Sequence, residues 1–71
     1  MSNGKHSRKK FSKYSIGQNV IITHEDGGIL VGEATILDNT KISRHNKPTN
    51  KVQHANGKVG YVKLKYIDEE K

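Results

Sequence analysis

Seven basic side chains in the second half of the chain indicate the chemistry most clearly. Residues 39–67 contain no acid, and their cations are Lys41, Arg44, Lys47, Lys51, Lys58, Lys63 and Lys65. A surface that concentrates positive charge attracts polyanions such as nucleic acid or an acidic protein face, whereas an ordinary solvated surface only aids solubility. We expect these seven cations to contact phosphate groups.

The other charges are also sorted by sign. Residues 14–38 carry acids and no base, and the chain has a formal net charge of +6. Residues 1–13 carry bases and no acid, among them Arg8, Lys9 and Lys10. We expect these three bases to add phosphate contacts to those of the second half.

Two tyrosines accompany the basic segment and extend its chemistry. Tyr61 and Tyr66 lie among the cations, and an aromatic ring beside positive charge can stack on a nucleic-acid base. Phosphate contacts position a protein without reading sequence. Weak or absent sequence specificity is therefore expected.

Other chemistries lack the required residues. His6, His24, His45 and His54 are dispersed without the spacing of zinc ligands, and the absence of cysteine excludes thiolate sites, thiol nucleophiles and disulfides. His24 with Asp26 and Ser15 lacks a nucleophile elbow or oxyanion donors. We expect a non-enzymatic protein without a metal or cofactor.

Length and composition predict one small domain with an arm. Seventy-one residues form at most one domain. Residues 1–13 are polar and basic, which predicts a disordered arm before a domain at residues 14–71. The longest apolar runs have three residues and no secretory apolar stretch is present, so we expect no membrane partner and a cytoplasmic location.

The first half of the domain reads as a β-hairpin. Residues 19–24 contain a β-branched run, residues 25–28 (EDGG) tolerate the positive φ of a tight turn, and residues 29–38 form a longer strand. Within that strand Ala34 and Ile36 are predicted to share one face, opposite Thr35 and Leu37.

The segment 39–50 is predicted to be a long loop. It has one isoleucine and one proline among polar and basic residues, and long loops on small scaffolds are more often functional than short ones. A loosely held insertion is the alternative. This prediction places Lys41, Arg44 and Lys47 outside the strands.

A second hairpin follows at Asn56-Gly57, a strong signal for a two-residue type I′ turn. That turn places Val52 opposite Tyr61. The next segment, Leu64–Tyr66, is predicted to form a 3₁₀ turn before a short closing strand from Ile67. No helix-length amphipathic period is present, so the class is all-β with five strands.

These segments resemble known small barrels. Residues 57–67 (GKVGYVKLKYI) are similar to the closing segment of Src-homology-3 and bacterial SH3-like domains. Residues 16–20, 25–27 and 34–36 are similar to the opening hairpin of Tudor and KOW-type barrels. The resemblance covers residues 15–68 and implies a five-stranded SH3-like barrel.

The departures from these families narrow the function. Lys63 takes the place of the groove proline and the chain has no tryptophan, so recognition of proline-rich peptides is not expected. Thr23, His24 and Leu30 stand where a Tudor-like aromatic cage would be sought. The KOW-like theme remains: small basic barrels that bind nucleic acid or transcription and translation machinery.

The sequence allows two registers for the last hairpin, and each register would expose a different surface. The resemblance favours an inward Val62, with Tyr61 and Val52 on an outer semi-apolar patch that could stack a base, dock a protein or form a homodimer. The other register fills the core with Val52, Val59 and Tyr61 and leaves a plain electrostatic surface. We expect a monomer or a weak homodimer.

We therefore expect a non-enzymatic module that binds DNA or RNA through its basic surface. The alternative is a protein-interaction adaptor or inhibitor, of phage or mobile-element type, whose basic surface contacts an acidic host protein. A structural component of a ribonucleoprotein is a third reading. The partner is left open by the sequence.

Overall fold

The computed structural model describes residues 10–70 and contains five β-strands with one short 3₁₀ turn. In chain order these are β1 (Asn19–Ile22), β2 (Gly32–Arg44), β3 (Lys47–His54), β4 (Val59–Lys63), the 3₁₀ turn Leu64–Tyr66 and β5 (Ile67–Glu69). All pairings are antiparallel, in one sheet of order β4-β3-β2-β1-β5. The predicted all-β class, its five strands and the 3₁₀ turn are confirmed. The sheet is open, with β4 and β5 at its two edges.

The core forms on one face of this sheet because successive side chains of a strand point to opposite faces, so that Val20 with Ile22 in β1 and Ala34 with Ile36 in β2 are buried together. Its buried side chains are Tyr14, Val20, Ile22, Ile29, Ala34, Ile36, Val52, Val62 and Ile67. The predicted alternation in β2 is confirmed: Ala34 and Ile36 are buried, whereas Leu37 is 36% exposed.

The connection between β1 and β2 contains the predicted tight turn at Gly27 and Gly28, but β2 begins at Gly32 and not at residue 29 as predicted. Asp26 and Ile29 exchange backbone hydrogen bonds of 3.0 and 2.8 Å around it, and both glycines have positive φ, 58° and 83°. The turn lies against β4, since a Cβ on Gly27 would collide with the carbonyl oxygen of Tyr61. Glycine is therefore required at Gly27 for both conformation and space.

The predicted loop at residues 39–50 is wrong. The strand β2 runs on to Arg44, and Lys47 pairs with it as the start of β3. Only His45 and Asn46 lie between the strands, with φ of 53° and 63°. A two-residue turn needs positive φ at both positions, which asparagine tolerates. Without glycine or apolar alternation, the sequence gives no ordinary signal for this hairpin.

Polar side chains hold this distal part of the hairpin where its ladder is irregular. The register shifts between Asp38 and Ile42, and the fully buried Asn50 faces the interruption. Its Nδ2 donates to the Thr40 carbonyl at 3.1 Å, and its Oδ1 accepts from the Ser12 hydroxyl at 2.6 Å. Asn50 thereby replaces missing backbone pairing, which an apolar residue could not do.

The predicted two-residue turn of the last hairpin is also wrong by one residue. His54 N donates to the Lys58 carbonyl at 2.7 Å, which leaves a three-residue loop. Of the two signal residues only Gly57 has positive φ, 93°, whereas a type I′ turn requires it at both. The Asn56 carboxamide instead accepts a hydrogen bond from Lys58 N at 2.8 Å.

The corrected register decides the two faces of this hairpin. Val52 lies opposite Gly60, and Lys51 lies opposite Tyr61. The inward Val62 and outward Tyr61 are confirmed, whereas the outward Val52 is wrong because it is fully buried. The other predicted register, with Tyr61 in the core, is wrong as well.

The described end of the predicted arm pairs with the sheet. Phe11 forms an antiparallel bridge with Thr40, flanked by backbone hydrogen bonds of 2.7 and 2.8 Å. This pairing uses the edge of β2 that β1 leaves unpaired beyond its own length. The disorder predicted for residues 1–13 otherwise concerns residues 1–9, which lie outside the described residues.

Candidate functional site

The charge blocks of the sequence become two sides of the sheet. The strand order places the acid-free β3 and β4 at one side and the acidic β5 beside β1 at the other. Burial of the Tyr14 hydroxyl raises its pKa, and the nearby charges of Asp68 and Glu69 raise it further. The two outer parts of the sheet therefore differ in charge, whereas the central β2 carries both signs and places Asp38 opposite Lys51.

Asp26 is an acid that lies among the bases and contacts two of them directly. Its Oδ1 is 2.6 Å from Arg44 Nη2 and 3.4 Å from Lys63 Nζ, and its Oδ2 accepts from Lys63 N at 2.9 Å. Burial alone would raise the pKa of Asp26, but the Lys63 amide and the Arg44 guanidinium outweigh it and lower that pKa. The carboxylate therefore ties the Gly27 turn to the β2–β3 hairpin and to β4.

Arg44 reaches this carboxylate from the end of β2. Its side chain is 33% exposed, against 11% for Asp26. The Nε atom is buried and has no hydrogen-bond partner within residues 10–70. Arg44 thus donates to Asp26 through Nη2, while part of its side chain remains at the surface.

Tyr66 lies next to this cluster and is bracketed by cations. Lys63 Nζ is 5.8 Å and Lys65 Nζ is 5.2 Å from the centroid of its ring, within the range of cation–π attraction. The ring of His24 lies 4.9 Å away, tilted by 38°. Two rings and two ammonium groups therefore share one patch of surface.

Thr23 fixes the relative position of the two rings. Its backbone N donates to the Tyr66 carbonyl at 2.8 Å, and its Oγ1 lies 3.2 Å both from that carbonyl and from His24 Nδ1. Because one residue contacts both ring-bearing residues, we define the ring platform as Thr23, His24 and Tyr66.

The other predicted phosphate contacts are spread over β2, β3, the residue before β4 and the described end of the arm and are not gathered around Tyr66. Lys47 pairs with Arg44 across the His45 turn. Lys51 lies opposite Tyr61, and Lys58 lies beside Gly28. Lys41 pairs with Lys10, which is the described end of the arm. The predictions for Arg8 and Lys9 fall outside the described residues.

Sequence reasoning missed the residues that organise the patch. It placed Asp26 in a turn and predicted no role for His24. The only available signal was Asp26 preceding a Gly-Gly pair, which marks a turn but not the strand against which the turn packs. The contact with Lys63 depends on tertiary structure.

A shallow cavity of about 200 Å³ extends over β1, β2 and β3 and is lined in part by Glu33, His54 and Glu70. A hydrogen bond with Glu33 raises the pKa of the Glu70 carboxyl. Within residues 10–70, no group of three His, Asp or Glu side chains is arranged to hold a metal ion. A membrane-crossing helix is not found in that part of the chain either.

Comparison with protein-family models, curated proteins and solved structures finds no match for this chain.

Proposed function

We propose that this domain is a non-enzymatic module that binds nucleic acid through its basic side, with little sequence specificity. The observation that carries the proposal is the bracketing of Tyr66 by Lys63 and Lys65. A ring with flanking ammonium groups offers one surface for a base and two charges for adjacent phosphates. Arg44 extends the positive surface from the same cluster.

We infer that the fold is of the SH3-like barrel type. The sheet order β4-β3-β2-β1-β5 and the 3₁₀ turn between β4 and β5 support this inference, because the turn brings the last strand back to the first. The Gly27 turn lies along the outer edge of β4, where it covers backbone groups that an open sheet would leave exposed.

Low specificity follows from the kinds of contact available. Base identity is read mainly by bidentate groups such as arginine and asparagine at base edges. Arg44 already donates to Asp26, and the other cations of this side are lysines, which act as point charges. Binding therefore depends on phosphate charge.

The test compares two reversals of equal charge. Lys65→Glu places an acid beside Tyr66, whereas Lys13→Glu makes the same change beside Tyr14, near the acidic strand β5. Affinity for DNA is measured by fluorescence anisotropy at increasing salt. Lys65→Glu is expected to weaken binding and reduce the log–log salt slope by about 1, while Lys13→Glu changes it little.

Two results would contradict the proposal. Equal effects of the two reversals would mean that net charge alone matters. No binding of the wild-type protein to single-stranded or duplex nucleic acid at about 50 mM salt would remove nucleic acid as the ligand. An acidic protein partner, retained in a pull-down after nuclease treatment, would then account for the basic surface.

A further inference from the structure

We propose that the ring platform receives an unpaired base, so that the preferred ligand is single-stranded nucleic acid. This inference rests on the proposed function and names the ligand class of the same site. In a duplex each base face is covered by its neighbours, whereas a single strand can present a base to an aromatic ring. The positive charge of the basic side alone would not favour single-stranded over duplex nucleic acid.

The platform is positioned before any ligand arrives. Tyr66 packs against the core with part of its ring at the surface, and its carbonyl is held by Thr23. His24 lies beside the ring and contacts the same threonine hydroxyl. A fixed ring pair loses little conformational entropy when a base stacks on it.

The flanking cations suit the backbone of such a strand. Lys63 and Lys65 flank Leu64 in the sequence. Their ammonium groups lie 5.8 and 5.2 Å from the centroid of the Tyr66 ring. The phosphate on one side of a stacked nucleotide can meet Lys65, because lysine side chains are long and flexible. The phosphate on the other side can meet Lys63, whose ammonium group also lies 3.4 Å from Asp26 Oδ1 and would be shared with it.

Tyr61 offers a matched comparison on the same domain. It is 37% exposed on the outer face of β4, with Lys51 opposite it across the strand pair. Within residues 10–70 no second aromatic ring lies against it. If exposure beside a lysine were sufficient, Tyr61 and Tyr66 would contribute equally.

The experiment measures the affinity of the full chain for a single-stranded DNA of about ten nucleotides that carries 2-aminopurine, and for its duplex. Wild type is expected to bind the single strand more tightly and to quench the 2-aminopurine fluorescence through stacking. Tyr66→Leu should weaken single-strand binding about tenfold and abolish the quenching, while Tyr66→Phe keeps both. Tyr61→Leu should reduce both much less than Tyr66→Leu does.

A second variant keeps the test valid if Tyr66→Leu fails to fold. His24→Ala removes an exposed ring from the platform and should reduce quenching without lowering the duplex affinity.

The outcomes separate the two proposals. Binding of duplex as tightly as single strand, with unchanged quenching in Tyr66→Leu or His24→Ala, overturns this inference while Lys65→Glu still tests the proposed function. Absence of binding to either DNA overturns both.

Discussion

Replacing Asp26 with asparagine tests the cluster that joins three separate parts of the chain. The carboxylate accepts hydrogen bonds from Arg44 Nη2 at 2.6 Å and from Lys63 N at 2.9 Å. An asparagine side chain can accept only one of them, because its amide group would face a second donor. The change thus removes at least one charge-assisted hydrogen bond.

The expected cost of Asp26→Asn is about 2 kcal/mol, since such bonds contribute about 1.5–3 kcal/mol each. The upper part of that range is not reached because the Arg44 side chain is 33% exposed and water replaces some of its lost contact. In a domain of this size such a loss is a large share of total stability.

The assay is urea unfolding followed by circular dichroism at pH 7, with Asp68→Asn as control. Asp68 is exposed, and its carboxylate accepts a hydrogen bond from the adjacent Glu69 amide at 2.8 Å. The control makes the same change in net charge. Its free energy of unfolding should change by less than about 0.5 kcal/mol.

The stability difference between wild type and Asp26→Asn should also depend on pH. The pKa of Asp26 is lowered in the folded protein, so its charge stabilises the fold above the ordinary carboxyl pKa of about 4 and loses this effect as pH falls through the lowered value. The difference between wild type and Asp26→Asn should therefore shrink at acid pH. Equal urea midpoints for wild type and Asp26→Asn at pH 7 would refute the reasoning. A difference in their free energies of unfolding that does not change with pH would refute it as well.

Two further predictions concern glycine and the arm. Gly27→Ala should destabilise by about 3 kcal/mol or more, because its Cβ would meet the Tyr61 carbonyl oxygen, whereas Gly57→Ala, with open space around it, should cost about 1 kcal/mol of positive-φ strain. Similar losses in urea unfolding would contradict this packing. A chain that begins at Tyr14 should melt about 5 °C below one that begins at Lys10, since it lacks the Phe11 bridge and the Ser12 hydrogen bond. Equal midpoints in thermal unfolding would show that these pairings do not contribute.

Local signals account for the parts of the fold that the sequence predicts. The Gly27-Gly28 turn and the alternation of Ala34 and Ile36 depend on a few neighbouring residues, and both are confirmed. The hairpin at His45 was missed because its turn contains no glycine and its strands lack apolar alternation. A polar hairpin of this kind is held by buried groups such as Asn50, whose partners are distant in sequence.

The candidate site was predictable in its charge but not in its geometry. The acid-free segment 39–67 indicates which cations share a region. It does not indicate that Asp26 meets Lys63, because that contact requires the first turn to lie on the edge of the fourth strand. Nor does it distinguish Tyr66 from Tyr61, since both tyrosines have lysines near them in sequence.

The hydrogen bond from Thr23 N to the Tyr66 carbonyl, 2.8 Å long, continues the ladder between β1 and β5 by one step. This ladder joins the segments most distant in sequence within the sheet, so closing it carries the largest loop entropy of any strand pair here. The two rings are therefore brought together by the pairing that has the least local support. A ligand that spans both rings would hold that ladder closed, and the Thr23 amide would then exchange its hydrogen with solvent more slowly in the complex than in the free protein.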